Sequence, residues 1–290
     1  MDIETITREC QLNLVGLETE IRLILAAIEN QIAVVIEGES GTGKTELAKT
    51  IANALRRPFY RVDGDENLTI THLRGWFDPP LVMQSGFGEK SFIPGPLVKA
   101  MQEGGFFFFN EVNRAPSEAI NGVLAAMDRT ERQIEIPQLS RITAAEKFYS
   151  IFTLNPAAYI GTNPLPEAFF DRCIRIRLDH KTGEEAKQIV RLRTQCTDHS
   201  LIDKAVEFTE QTRTSGMFES GASIRATIQL TQLLDHQSLT PRKTFATLNA
   251  VFSKKVKPHP DESRSVEDCL EVLALSVFFP DEKKKGKSNG

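Results

Sequence analysis

Two stretches of this 290-residue chain carry residue types at spacings that can do chemistry. The first is GESGTGKT, Gly38 to Thr45, directly after the apolar run AVVIE. It reads G-x-x-x-x-G-K-[ST], with Gly38, Gly43, Lys44 and Thr45 at the defining positions and Glu39, Ser40, Gly41 and Thr42 between them. Glycines let such a loop fold so that successive backbone N–H groups point at phosphate oxygens. The helix that follows adds the positive potential of its N-terminus. The spacing lets Lys44 reach the β- and γ-phosphates of a nucleotide and lets the Thr45 hydroxyl ligate Mg2+. The second stretch is FFFFNEVNRA, Phe106 to Ala115. A wholly apolar run passes at once into Asn110, Glu111, Asn113 and Arg114. Glu111 is placed to polarise or deprotonate a water molecule. Asn110 sits where a phosphate-loop site needs a group that holds Mg2+ through its waters.

These residues need strands and helices to hold them. Five short runs read as strands: Ala33–Glu37, Pro58–Val62, Phe106–Asn110, Tyr149–Leu154 and Cys173–Leu178. The third is apolar throughout, as in a strand covered on both faces of a parallel sheet. Helical patterns such as Leu17–Asn30 and Glu46–Arg57 lie between them. That alternation predicts an α/β fold with an open parallel sheet. After about residue 180 the pattern is helix upon helix: Thr182–Gln195, Leu201–Thr214, Ala222–His236, Pro241–Lys255 and Val266–Phe278. The expected division is an α/β core over 1–180, a helical domain over 181–280 and a basic tail over 281–290. Trp76 and Phe77 are expected to pack internally.

Composition narrows the function. Net charge is −4, so no general basic field invites nucleic acid. The four cysteines are widely spaced and form no C-x-x-C pair, which fits reduced thiols rather than a disulfide framework or a zinc site. No apolar run approaches the roughly 20 residues that span a bilayer. The N-terminus lacks a signal peptide's basic-then-apolar order, and a cytoplasmic protein is expected.

Several motifs in order resemble the AAA+ ATPases, and within them the MoxR branch and its dynein-related relatives, which include the CbbQ and NorQ proteins. LVGLETEI (Leu14–Ile21) is similar to the family's opening segment, in which Val15 and Gly16 would lie against adenine. Phe92–Pro137, with NEVNRAP inside it, is similar to the block that carries the family's second acidic motif. Phe152–Cys173 resembles the segment bearing sensor 1 and the arginine finger, and GASIRA (Gly221–Ala226) resembles the sensor 2 segment. The resemblance implies a phosphate-loop core, a five-stranded parallel sheet between helices, with a C-terminal all-α lid. It implies that Glu111 activates water, Asn155 orients it, Arg172 acts on a neighbouring subunit's nucleotide and Arg225 reaches the phosphates from the lid. It also implies ATP and Mg2+, a hexameric homo-oligomer, a pore-facing loop or hairpin at Met83–Phe92, a second hairpin within Arg132–Tyr149, and a protein substrate of the von Willebrand A domain class. The activity implied is that of an ATP-hydrolysing chaperone that remodels or matures its partner.

Asn110 is the departure, because the family pattern usually has Asp there. An amide accepts a hydrogen bond from metal-bound water but brings no charge. A second reading is therefore a nucleotide-binding scaffold that hydrolyses weakly. A DNA-dependent motor is a third, disfavoured by the acidic balance of the chain.

Overall fold

The computed structural model describes residues 2–156 and 163–280, and the chain divides into two compact units, Met1–Asp179 and His180–Gly290. The lysine-rich tail and part of the segment between Asn155 and Arg172 lie outside the described residues.

In the first unit, five strands form one parallel sheet. They are β1 (Ala33–Gly38), β2 (Phe59–Asp63), β3 (Phe106–Asn110), β4 (Tyr149–Leu154) and β5 (Cys173–Leu178), arranged β2-β3-β4-β1-β5. The α/β expectation holds, and the strand boundaries move by one residue at most. β3 and β4 fill central positions and are apolar because both of their faces are covered. Successive side chains in a strand point to opposite faces. Phe106 and Phe108 accordingly enter the layer formed with helices α1 (Ile3–Gln11), α2 (Glu18–Glu29) and α3 (Lys44–Ala54). Phe107 and Phe109 enter the opposite layer, with helices Pro96–Glu103 and Ser117–Met127. All four rings are fully buried. Phe59 stacks on Phe108 at 5.0 Å, and Phe152 meets Phe169 edge-on at 4.9 Å.

The segment between β2 and β3 was expected to hold a loop or hairpin at Met83–Phe92, and it holds the end of a helix followed by a loop over 86–91. Asp78 caps a helix over Pro79–Ser85, with proline in its first turn, and Phe92–Pro94 pairs antiparallel with Gly75–Phe77. The proline pair fits the first helical turn, where a missing N–H costs nothing, and Asp78 accepts from the Leu81 N–H. Phe77 packs on Phe87 and Phe92, but Trp76 is 48% exposed, contrary to its expected packing. A hairpin does form within Arg132–Tyr149, from Gln133–Ile134 and Ile142–Thr143.

The second unit holds helices Gly183–Thr194, His199–Thr214, Ile224–Leu234, Pro241–Phe252 and Val266–Val277. It is not all-α: Phe218–Ser220 pairs antiparallel with Lys257–Pro258. The stretches are only three and two residues long, too short for a period-two pattern to show in sequence. Phe208 and Phe252 meet edge-on at 5.0 Å in its core. Buried threonines satisfy one another there, with Thr227 Oγ1 donating to Thr209 Oγ1 at 2.8 Å. Arg225 is exposed near the start of Ile224–Leu234.

Truncating Phe108 should cost about 3–5 kcal/mol, because the surrounding strands and helices can collapse only in part around the space left. Urea unfolding of Phe108→Ala should show a lower midpoint at unchanged slope.

Candidate functional site

The carboxyl ends of β1, β3 and β4 bring the predicted residues of the core together. β1 ends at Gly38 and the chain turns through Glu39–Gly43 into α3. Gly41 and Gly43 have φ of +88° and +96°, a region L side chains rarely adopt. Gly43 is the N-cap of α3, and a Cβ built on it would stand in open space. Thr42 Oγ1 closes the loop by donating to Glu39 O at 3.0 Å. The loop is thus an open cradle of backbone amides at a helix N-terminus, which suits phosphate groups.

Lys44 lies inside this cradle, 7% exposed. Its ammonium donates to Gly38 O at 2.5 Å, Glu39 O at 2.9 Å and Asn155 Oδ1 at 3.0 Å. Asn155 follows β4 and is 2% exposed. Asn113 secures it from the polar cluster, donating to Asn155 O at 2.9 Å and accepting from Asn155 N at 3.4 Å. The spacing of the motifs does not reveal this role of Asn113, although it stands three residues beyond Asn110.

Asn110 ends β3. Its Oδ1 accepts from Thr153 Oγ1 at 2.9 Å and from Thr45 Oγ1 at 3.4 Å. The phosphate-loop threonine and the amide at the carboxylate slot are therefore neighbours. Thr153 was not anticipated; the only hint is a hydroxyl in the otherwise apolar end of YSIFTL. It also accepts the Glu111 backbone N–H at 2.8 Å. Glu111 adopts φ +51°, ψ +47°, a left-handed conformation that costs a non-glycine residue roughly 1–3 kcal/mol. Its carboxylate pairs with Arg114 Nε at 2.9 Å. The Glu111 side chain is 29% exposed, so it is open to solvent at the carboxyl end of β3. Two neighbouring oxygens, the Thr45 hydroxyl and the Asn110 amide oxygen, fit a divalent cation held with a nucleotide, both being ligands of the hard type Mg2+ takes.

Asp63 closes β2 and was not singled out in the sequence. It faces Asn110 across the ladder and accepts from Asn110 Nδ2 at 2.7 Å. Burial pushes its carboxyl up, but hydrogen bonds from Arg61 and Asn110 more than offset this and hold it below the usual carboxylate range.

Other predicted residues are not drawn to this point by any bond described. Val15 and Gly16 lie in the turn between α1 and α2, with Gly16 at φ +63°. Arg172 follows the short helix Glu167–Phe170 and donates from Nη1 to Ala168 O at 2.8 Å, on its own turn. Arg225 belongs to the second unit.

Gly64 has a packing reason to be glycine. A Cβ there would lie 2.1 Å from Glu111 O. Gly64→Ala should therefore push the Glu111 backbone away and cost about 1–3 kcal/mol as an overpacking change. Thermal unfolding checks the cost. A chemical-shift change confined to Glu111–Arg114 and Thr153 checks the location.

The AAA domain family of the dynein-related subfamily matches residues 33–173. Uncharacterised proteins of Staphylococcus haemolyticus and Staphylococcus epidermidis are similar. The first is 31% identical over 208 residues, covering 69% of this chain and 77% of the relative. The second is 32% identical over 207 residues with the same coverage. A crystal structure of a candidate ATPase from Cytophaga hutchinsonii superposes with a TM-score of 0.54 at 20% identity, over 95% of this chain and 93% of that one. The closed state of Hsp104 with ATPγS and casein superposes with a TM-score of 0.50 at 19% identity, over 67% of this chain and 38% of that one. At these identities the two structures show likeness of fold. Taken with the phosphate loop, the five-stranded sheet and the polar ends of β3 and β4, the sequence matches establish that this chain belongs to the dynein-related subfamily of AAA domain proteins.

Proposed function

We propose that the chain binds ATP at Gly38–Thr45 and hydrolyses it, as a ring-forming chaperone of MoxR type that remodels or matures a partner protein. The observation that carries the catalytic part is the meeting of Lys44, Thr45, Asn110, Glu111 and Asn155 at one end of the sheet. Lys44 now shares its protons with neutral oxygens. A phosphate oxygen makes stronger, doubly charged hydrogen bonds with such an ammonium. Asn155, fixed through Asn113, can hold a water molecule or the terminal phosphate beside Lys44. Glu111 takes the proton of the attacking water. Mg2+, when bound beside Thr45 and Asn110, would supply positive charge against the phosphates. Val15 and Gly16 are the proposed adenine contacts, and Arg225 a proposed phosphate contact.

The ring reading rests on Arg172, an arginine without a described bond to its own phosphate loop and matching the family's finger position. Its proposed target is the nucleotide of the neighbouring copy, where it would stabilise transition-state charge. A homo-oligomer, hexameric by resemblance, is the proposed assembly, with a von Willebrand A domain protein as the proposed partner class. A cytoplasmic location fits a chain in which no helix among the described residues is long and apolar enough to cross a membrane.

A nucleotide-dependent scaffold with slow turnover is the second reading, and the neutral amide at Asn110 favours it. Steady-state hydrolysis at saturating Mg2+ separates the two. Glu111→Gln should bind ATP like the unaltered chain and hydrolyse it about 10²-fold or more slowly, the usual loss of a general base. Equal rates for the two proteins would leave the scaffold reading standing and remove the enzyme reading. Lys44→Ala should lose nucleotide binding in a calorimetric titration.

Arg172→Ala is expected to retain ATP binding and lose hydrolysis by about 10³-fold, as when an arginine finger is removed. Mixing it with Lys44→Ala should recover part of the activity, because each copy would supply what its neighbour lacks. No recovery at any mixing ratio would contradict action between subunits. Light scattering of Glu111→Gln with ATP should give a mass several times that of one chain.

A further inference from the structure

Asp63 belongs to none of the phosphate-site motifs, yet it bonds the nitrogen of the amide whose oxygen meets Thr45. The two residues are register partners at the ends of adjacent parallel strands, and Asn110 Nδ2 donates to Asp63 Oδ1 at 2.7 Å. An ionised carboxylate can only accept hydrogen bonds. The amide nitrogen must therefore face Asp63, and the amide oxygen must face the other way. There it accepts from Thr153 Oγ1 and Thr45 Oγ1. An asparagine is nearly symmetric in shape, so without such a partner its two ends can exchange. The exchanged form would point N–H donors at Thr45, where a cation needs an oxygen.

Arg61 holds the carboxylate in place from the same strand, with Nη2 at 2.6 Å and Nε at 2.9 Å. It also neutralises much of the Asp63 charge. What passes from Asp63 to the site is therefore direction rather than net charge. An aspartate at the Asn110 position would need no such lock, since both of its oxygens accept. The pairing of Asp63 with Asn110 is thus coherent: the carboxylate lies one strand away, and the amide presents the oxygen.

We propose that Asp63 is a positioning residue that locks the Asn110 amide with its oxygen toward Thr45, and so lets a neutral side chain contribute to divalent-cation binding. This rests on the nucleotide site proposed above. It assigns a role to a residue at the end of β2 that does not itself meet the nucleotide.

The test uses the full chain, a fluorescent non-hydrolysable ATP analogue and titration with Mg2+ against an EDTA control. Asp63→Asn keeps the shape of the side chain but admits either orientation at Asn110. It should raise the Mg2+ concentration for half-saturation about tenfold while changing affinity in EDTA less than about twofold, the scale seen when a partner behind a metal ligand is lost. The exchange variant Asp63→Asn with Asn110→Asp should restore the Mg2+ response, because the carboxylate and the amide then trade places across the same ladder. An unchanged Mg2+ response in Asp63→Asn overturns the lock. So does an exchange variant no better than the single one, or an equal loss of affinity in EDTA. If the unaltered chain binds no analogue in either buffer, the nucleotide site itself is wrong, and the lock falls with it.

Discussion

The register of β3 between β2 and β4 governs which polar residues meet at the carboxyl end of the sheet. Asn110 stands opposite Asp63, and Phe109 stands opposite Phe152, which puts Thr153 one step on, beside Asn110. Since side chains alternate between faces, a slip of one residue would turn Asn110 into a helix-covered layer and expel a phenylalanine. A strand apolar on both faces cannot set its own register by alternation. Its ends do so here. Phe106 N donates to Pro58 O at 2.7 Å at one end, and Gly64 N donates to Asn110 O at 2.7 Å at the other. Four buried rings supply the cohesion, while two backbone bonds and two polar side chains supply the alignment.

That alignment also explains the strain at Glu111. The chain must leave a buried strand and immediately present a carboxylate beside Arg114. It does so through a left-handed residue whose N–H is taken by Thr153 and whose carbonyl accepts the Arg114 N–H at 2.9 Å. Neighbours that make such specific bonds can hold a conformation the residue would not adopt alone. The same threonine bonds Asn110, so one hydroxyl ties the amide to the strained Glu111 backbone. On the other side of the loop, Asn113 fixes Asn155, and Asn155 fixes Lys44. The site is therefore a chain of polar links running from β2 to α3, built from hydroxyls and amides more than from charges.

Much of this was legible without coordinates. G-x-x-x-x-G-K-T needs local geometry only, and its loop and helix follow from glycine freedom and helix capping. Three strands were visible as short apolar runs covered on both faces, and the edge strands β2 and β5 as short runs in which apolar and basic residues alternate. What was not legible is short or non-local. The Gly75–Phe77 and Phe92–Pro94 ladder spans three residues a side, and the helix between them begins at a proline pair that reads equally well as a loop. The two-stranded piece in the second unit is shorter still.

The sequence by itself determined which residues could bind phosphate, which carboxylate could act on water, and that a neutral amide stands where a charge is usual. Those are matters of side-chain chemistry and spacing along one chain. Only the tertiary structure decided which groups that amide meets. Asp63 and Asn110 are 47 positions apart, and Thr153 is 43 positions beyond Asn110. Parallel strands are paired by the packing of whole layers rather than by a turn, so no local pattern foretells which end residues will meet.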